Sequence, residues 1–393
     1  MAYIKINKIT FDKYLLLLDN AGISLLKKNK HVRKSTKPLD ETLEISINKL
    51  DPNSAAIQLL YLCSYMAAEG IDESLFNKHP DLLPSPLNEV VNDEIEMIDV
   101  WQELTQYSLL KKQINEKGEE SYTMHRLLQE VVKNKISENQ QWALCCLDIF
   151  RKTYTFEFGN VTSHNNFMKL TPHVEAFLNA SKSYLREDEQ QNRLGLLYNW
   201  GGYGLSDLGY YSHALEWFQN SLKIYEEVLD EEHLKTATAY NNIAYIYDML
   251  GDYNNALEWY HKTLAIDEKI LDADDLSIMV SYNNIAMVYN NLEDYNKALE
   301  FYHMSMIIRE KELGLQHPDT ALSYNNMGYL YSEQGNYNTA LKWYHKSLTI
   351  KEKILGVEHP STITTYNNIA CTYENMGDNE KATEYFHKAK RMK

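Results

Sequence analysis

Four histidines, His261, His303, His345 and His387, recur at a constant step of 42 residues. Imidazoles are common zinc ligands, but zinc holds its nitrogens about 2.0–2.1 Å from one ion, and equivalent residues of successive repeats stand too far apart for that. The row reads instead as an exposed edge. The thiols offer no metal spacing either. Adjacent Cys145 and Cys146 would point about 100° apart on a helix, which disfavours a bond between them. With Cys63 and Cys371 they read as reduced, mostly buried thiols. No Gly-x-Ser-x-Gly, His-Glu-x-x-His or Gly-x-Gly-x-x-Gly occurs. The many acidic pairs read as solvated helix faces. No catalytic residue, metal or cofactor is expected, and the protein is read as a non-enzyme.

The residue type best placed for recognition is asparagine. Tyr-Asn-Asn begins at Tyr240, Tyr282, Tyr324 and Tyr366, again in steps of 42, with a weaker copy at Tyr198-Asn199-Trp200. Ala214, Ala256, Ala298, Ala340 and Ala382 keep the same step, as do Trp217, Trp259, Phe301, Trp343 and Tyr385. A fixed period of this length signals stacked supersecondary units. Five run from about Gly195 to the end. Each reads as two helices. In the fourth, Tyr324, Met327, Gly328 and Tyr331 share one stripe at helical spacing. Gly335 ends that helix, and Asn336 is placed to cap the next. Ala340, Trp343, Tyr344 and Ser347 of the second helix then face inward. Small residues at 328 and 340 let two helix backbones approach while aromatics fill the grooves beside them.

A stacked array curves, and its first helices line the inner face. At about 100° per residue, Asn326 lies about 200° from core residue Tyr324, and Asn325 about 100°. The groove candidates are therefore Asn242, Asn284, Asn326 and Asn368, with Tyr245, Tyr329, Asn291 and Glu333 beside them. An amide both donates and accepts, so it pairs with a peptide backbone without reading side chains. Helices stack about 8–10 Å apart and an extended strand rises about 3.3 Å per residue, so one amide per repeat would meet roughly every third ligand residue. The opposing reading is that these amides bond to neighbouring helices and only stiffen the array, and for Asn241, Asn283, Asn325 and Asn367 that role is expected.

The small and aromatic positions resemble the tetratricopeptide repeat, whose usual period is about 34 residues. The extra residues lie in a longer second helix and a loop, Leu313-Gly314-Leu315-Gln316-His317-Pro318 and Leu355-Gly356-Val357-Glu358-His359-Pro360. That long form is similar to the repeats of kinesin light chains. The resemblance implies an asparagine ladder gripping short peptides. Repeat proteins that hold chaperone C-termini clamp carboxylates with Lys and Arg. Here the corresponding positions include Thr238, Val280, Leu322 and Thr364, and Asp248, Glu333 and Glu374 favour a neutral or basic peptide.

The first half reads differently. Apolar helices are expected over 54–68 and 93–107, then a hairpin of 110–114 with 122–124, then a helix from His125 to about Ile136. This order suggests a winged helix. Residues 38–110 hold 14 acidic and 2 basic residues, a net of −12, so phosphate would be repelled and DNA binding is not expected. Ala67-Ala68-Glu69-Gly70-Ile71-Asp72, Tyr107-Ser108-Leu109-Leu110, Met124-His125-Arg126-Leu127-Leu128-Gln129 and Leu170-Thr171-Pro172-His173-Val174 resemble the end of the nucleotide-binding module of NB-ARC-containing, STAND-type switch proteins, as do residues 9–26. The resemblance implies a nucleotide-sensing role for His125, within a Met-His-Asp motif in which Arg126 replaces Asp. No phosphate loop occurs.

Four segments are thus expected within a mainly α fold, a winged-helix-like N-terminal domain followed by an α-solenoid. They are a helical remnant and basic linker (1–37), a winged-helix-like domain (38–137), a helical connector (138–190) and five repeats (191–393). A net charge of −16 argues against nucleic acid and anionic membranes as general partners, although Lys27, Lys28, Lys30, Arg33, Lys34 and Lys37 form a local basic run. No apolar run reaches the ~20 residues of a membrane span, and no export signal is readable, so the expected location is cytoplasmic. The expected function is a scaffold binding a protein or extended peptide. The alternative is a regulatory part of a STAND-type switch lacking its NTPase domain. Tyr385 and Phe386 are expected to be partly uncovered, which leaves self-association or a truncated gene product as readings of the last repeat.

Overall fold

The computed structural model describes residues 39–390 except 116, 117, 158 and 183. The expected segment 1–37 lies outside the described residues. The chain divides into two compact units, Met1–Leu208 and Gly209–Lys393.

In the first unit, α1 (Leu39–Ile47) precedes α2 (Ala55–Cys63), which is buried on nearly every side and forms the centre of that unit. Ser54 starts α2 by accepting the Ile57 amide at 3.3 Å. The buried amide of Gln58 ties α2 to the next loop, donating to the Ser85 carbonyl at 2.7 Å and accepting from the Leu87 amide at 3.1 Å. Helices α3 (Leu87–Val90) and α4 (Glu94–Gln106) follow, and Asp93 caps α4 through the Ile95 and Glu96 amides. A two-stranded antiparallel hairpin comes next. Strand β1 (Lys111–Ile114) pairs with β2 (Glu120–Thr123) in the register Lys111 to Thr123. Trp101 of α4 stacks on Tyr122 with ring centroids 4.0 Å apart, fixing the hairpin to the helical layer. Helices α5 (Arg126–Lys135), α6 (Gln141–Thr153), α7 (Val161–Ser181) and α8 (Asp188–Asp207) complete the unit. Helix α2 is shorter than expected, ending at Cys63. The chain then reverses through Gly70 at φ +75°, a backbone that suits glycine.

The second unit is all helical. It runs through α9 (Tyr211–Val228), α10 (Leu234–Met249), α11 (Tyr253–Ile270), α12 (Leu276–Asn291), α13 (Tyr295–Leu313), α14 (Pro318–Glu333), α15 (Tyr337–Ile354), α16 (Pro360–Asn375) and α17 (Asn379–Lys390). Each of α10, α12, α14 and α16 is a first helix packed on the second helix that follows it. Each opens on a side-chain cap. His233, His317 and His359 accept an amide through Nδ1 at 3.0–3.2 Å, and Asp275 does the same through Oδ1 at 2.7 Å. Asn336 precedes α15 as expected but makes no side-chain cap bond. The turn between paired helices needs a left-handed residue, supplied by Gly251, Gly335 and Gly377. Repeat three has Glu293 there, at φ +60°.

Aromatic and small residues interlock as the spacing implies. Tyr324, Met327 and Gly328 are buried and Tyr331 half-buried, facing Ala340, Tyr344 and Ser347, with Trp343 partly covered. A methyl group on Gly328 would lie 2.7 Å from the Tyr344 ring, so the pair is closed to wider side chains.

Two further ladders join each repeat to the next. The tyrosine hydroxyls of Tyr240, Tyr282, Tyr324 and Tyr366 donate to Glu226, Glu268, Glu310 and Glu352 of the preceding second helix, at 3.1, 2.7, 2.6 and 2.5 Å. One residue earlier in α11, α13 and α15 stand three ionisable residues in equivalent places. Asp267 accepts from Ser281, Arg309 donates to Ser323, and Lys351 donates to Thr365. Both ladders span 14 residues in sequence, the step from a second helix into the next first helix.

Candidate interaction surface

Side-chain bonds join the first helices in two pairs, α10 with α12 and α14 with α16. Asn284 donates to Asn241 at 3.0 Å, Asn368 to Asn325 at 3.2 Å, Asn291 to Asp248 at 3.2 Å, and Thr365 to Asn325 at 3.1 Å. Exposure marks the outward direction of the helices. Val280 and Leu322 are 45% and 43% exposed, and Tyr245, Met287 and Tyr329 are 43%, 43% and 42% exposed. Two series of equivalent positions, seven residues apart, thus carry uncovered side chains: Thr238, Val280, Leu322 and Thr364 in one, and Tyr245, Met287, Tyr329 and Cys371 in the other. Such a recurrent uncovered stripe, on helices otherwise tightly packed, is the pattern of a contact surface.

The expected amide ladder is placed differently. Asn242 is only 2% exposed, which removes it from the surface. Asn284, Asn326 and Asn368 are half-buried on its shoulder. The physical reason lies in the helix wheel. Relative to Tyr324, Leu322 and Tyr329 stand at about 160° and 140°, whereas Asn326 stands at about 200°. A solenoid helix is covered by its own partner and by neighbours on both flanks, so the open sector is narrow and does not reach 200°. Asn284 and Asn368 each spend one donor on the preceding repeat. Asn326 makes no side-chain hydrogen bond among the described residues. Asn291 and Glu333 are exposed at the C-terminal ends of α12 and α14, beside the stripe.

Charge on these helices is sparse and acidic. Their sequences hold one lysine, Lys235, against Asp248, Asp319, Glu333 and Glu374. Burial raises the pKa of Asp248 despite the hydrogen bond from Asn291.

His261, His303 and His387 are exposed, whereas His345 is half-buried and meets Tyr385 edge-on. No group of three or more His, Cys, Asp or Glu among the described residues is arranged to hold a metal ion. Cys63, Cys145 and Cys146 are buried, and burial raises all three thiols, Cys145 to about 12. Cys371, expected with them, is exposed because it occupies the same repeat position as Tyr245, Met287 and Tyr329. His125 starts α5 as its cap, Nδ1 accepting the Leu127 amide at 3.2 Å. Tyr385 and Phe386 are half-buried. No described helix is long and apolar enough to cross a membrane.

Comparison with known families places tetratricopeptide repeats at residues 197–269, 277–353 and 319–393. Residues 45–141 match a domain of unknown function, DUF7779. No curated protein sequence matches the chain. Among solved structures, it is similar to the nearly identical TPR-like repeats of kinesin-light-chain type from Podosopora anserina, with 22% identity over 52% of this chain and 93% of that one (TM-score 0.44). It is similar to BtubC (BKLC) from P. vanneervenii at 20% identity over 56% of this chain and 90% of that one (TM-score 0.46). YrrB, described as a TPR protein with an unusual peptide-binding site, matches at 19% identity over 56% of this chain and 93% of that one (TM-score 0.36). The C-terminal half is thus a tetratricopeptide repeat region within a mainly α protein.

Proposed function

We propose that the protein is a non-catalytic interaction scaffold that holds an extended polypeptide along its first helices. The observation that carries this reading is the uncovered stripe of Tyr245, Val280, Met287, Leu322 and Tyr329, which falls at matching positions of successive first helices. Apolar side chains of the ligand would cover the stripe. Asn284, Asn326 and Asn368 flank it with amide groups suited to a peptide backbone, and Asn291 and Glu333 border it.

The test is fluorescence anisotropy of a labelled pool of blocked peptides, about nine residues long and built from Ala, Leu, Val, Ser and Arg. Met287→Ala combined with Tyr329→Ala should weaken binding about tenfold or more, because interface aromatics carry a large share of contact energy. Both side chains are over 40% exposed, so helical content should persist. Equal affinity for the wild type and the double variant would remove the stripe as the binding surface.

A second reading, the regulatory part of a STAND-type nucleotide switch, draws support from the hairpin followed by a helix that starts at His125. It expects saturable ADP binding that His125→Ala abolishes. A flat ADP titration of the purified chain would dismiss it.

A further inference from the structure

We propose that Asp248 anchors a lysine or arginine side chain of the bound polypeptide and thereby sets its register along the repeats. The proposal rests on reading the stripe as a peptide surface. A surface built from near-identical repeats has a register problem, because a ligand gains similar contacts after sliding by one unit. A single feature present in one repeat breaks that degeneracy. The positions equivalent to Asp248 are Asn290, Ser332 and Glu374, and Glu374 is exposed. Asp248 is therefore the one half-buried carboxylate in that series.

Its surroundings are those of an acid that has lost water without gaining a cation. Asn291 donates to it at 3.2 Å, and no ion pair reaches it from the described residues. Burial, and after it the Asp248 charge, raises the pKa of Tyr260 of α11 and of Tyr302 of α13. The two rings are 2% and 7% exposed. The carboxylate keeps accepting capacity beyond the one hydrogen bond from Asn291. A carboxylate in this state attracts an ammonium or guanidinium more strongly than a fully hydrated one does. Neighbouring Tyr245 offers an exposed ring over which the same cation can rest. The Glu268 and Glu310 carboxylates, in contrast, already receive tyrosine hydroxyls, and Glu310 also pairs with Lys346.

Two blocked peptide pools discriminate the proposal. Both mix Ala, Leu, Val and Ser at the outer positions. One carries arginine at the centre, the other citrulline, which keeps the shape without the charge. The wild type should bind the arginine pool about tenfold or more tightly than the citrulline pool, with the difference shrinking as salt rises. Asp248→Asn should bind the two pools alike, and its unchanged affinity for the citrulline pool would show that the surface is intact. Equal binding of both pools by the wild type, or a preference for arginine that survives Asp248→Asn, overturns the anchor. If both pools bind equally and Met287→Ala with Tyr329→Ala weakens them, the peptide surface stands and the anchor alone falls. If neither pool binds, both readings fall.

Discussion

Lys351→Met should make the repeat region more stable at neutral pH, although it removes two hydrogen bonds. Lys351 is 1% exposed, and its ammonium group donates to the Ser361 carbonyl at 3.2 Å and to Thr365 at 2.9 Å, with no carboxylate paired to it. Burial lowers its pKa from the ordinary 10.5 to about 8. At about 1.4 kcal/mol per unit, keeping the charge in the folded state costs about 3 kcal/mol. The cost applies in full below about pH 8. Between pH 8 and 10.5 the unfolded chain binds more protons at this site than the folded chain, so stability rises with pH through that window. Methionine is of similar volume and needs no partner. Nor does the change leave an orphan, because the Thr365 hydroxyl still donates its one proton to the Ser361 carbonyl or to Asn325. Setting roughly 1–2 kcal/mol for the lost hydrogen bonds against the relieved charge leaves a net gain of about 1–2 kcal/mol at pH 7. Urea unfolding followed by circular dichroism should show a higher midpoint for the variant at pH 7, with the gap narrowing towards pH 10. Tyrosine ionisation affects both proteins alike and cancels in the difference. A variant less stable than wild type at pH 7, or a gap of constant size across that range, would refute the reasoning.

Other outcomes follow from single positions. Glu293→Gly should raise the melting temperature, with a gain of about 1 kcal/mol, because Glu293 stands at φ +60° where the equivalent turns at Gly209, Gly251, Gly335 and Gly377 use glycine; an unchanged or lower value would contradict the strain. Native titration with Ellman's reagent should consume one thiol rapidly, Cys371, and the remaining three only after unfolding, since those are buried with raised pKa values. Fast loss of two or more thiols from the folded protein would count against that burial.

The period of 42, the two helices per unit and the interlocking of small and aromatic side chains were all written in residue identity. Tyr324 against Gly328 and Ala340 is legible because backbone approach demands small residues wherever large rings must fit. The hairpin over Lys111–Ile114 and Glu120–Thr123 was legible too, since polar turn residues interrupt two short apolar-containing runs. The fate of the asparagines was not. A helical wheel orders directions around one helix, and Asn326 does point away from the core. It does not say which directions the next repeat covers, and that coverage buries Asn242 and commits Asn284 and Asn368 to their neighbours.

The sequence alone therefore determined that paired helices stack, how often, and through which residues each pair closes, because those contacts are local and repeat with the chain. Tertiary structure decided which sector stays open, which amides are spent inside, and that Asp248 is left half-buried with Asn291 as its hydrogen-bond donor. Those outcomes depend on contacts between helices more than 40 residues apart. No property of one helix specifies them.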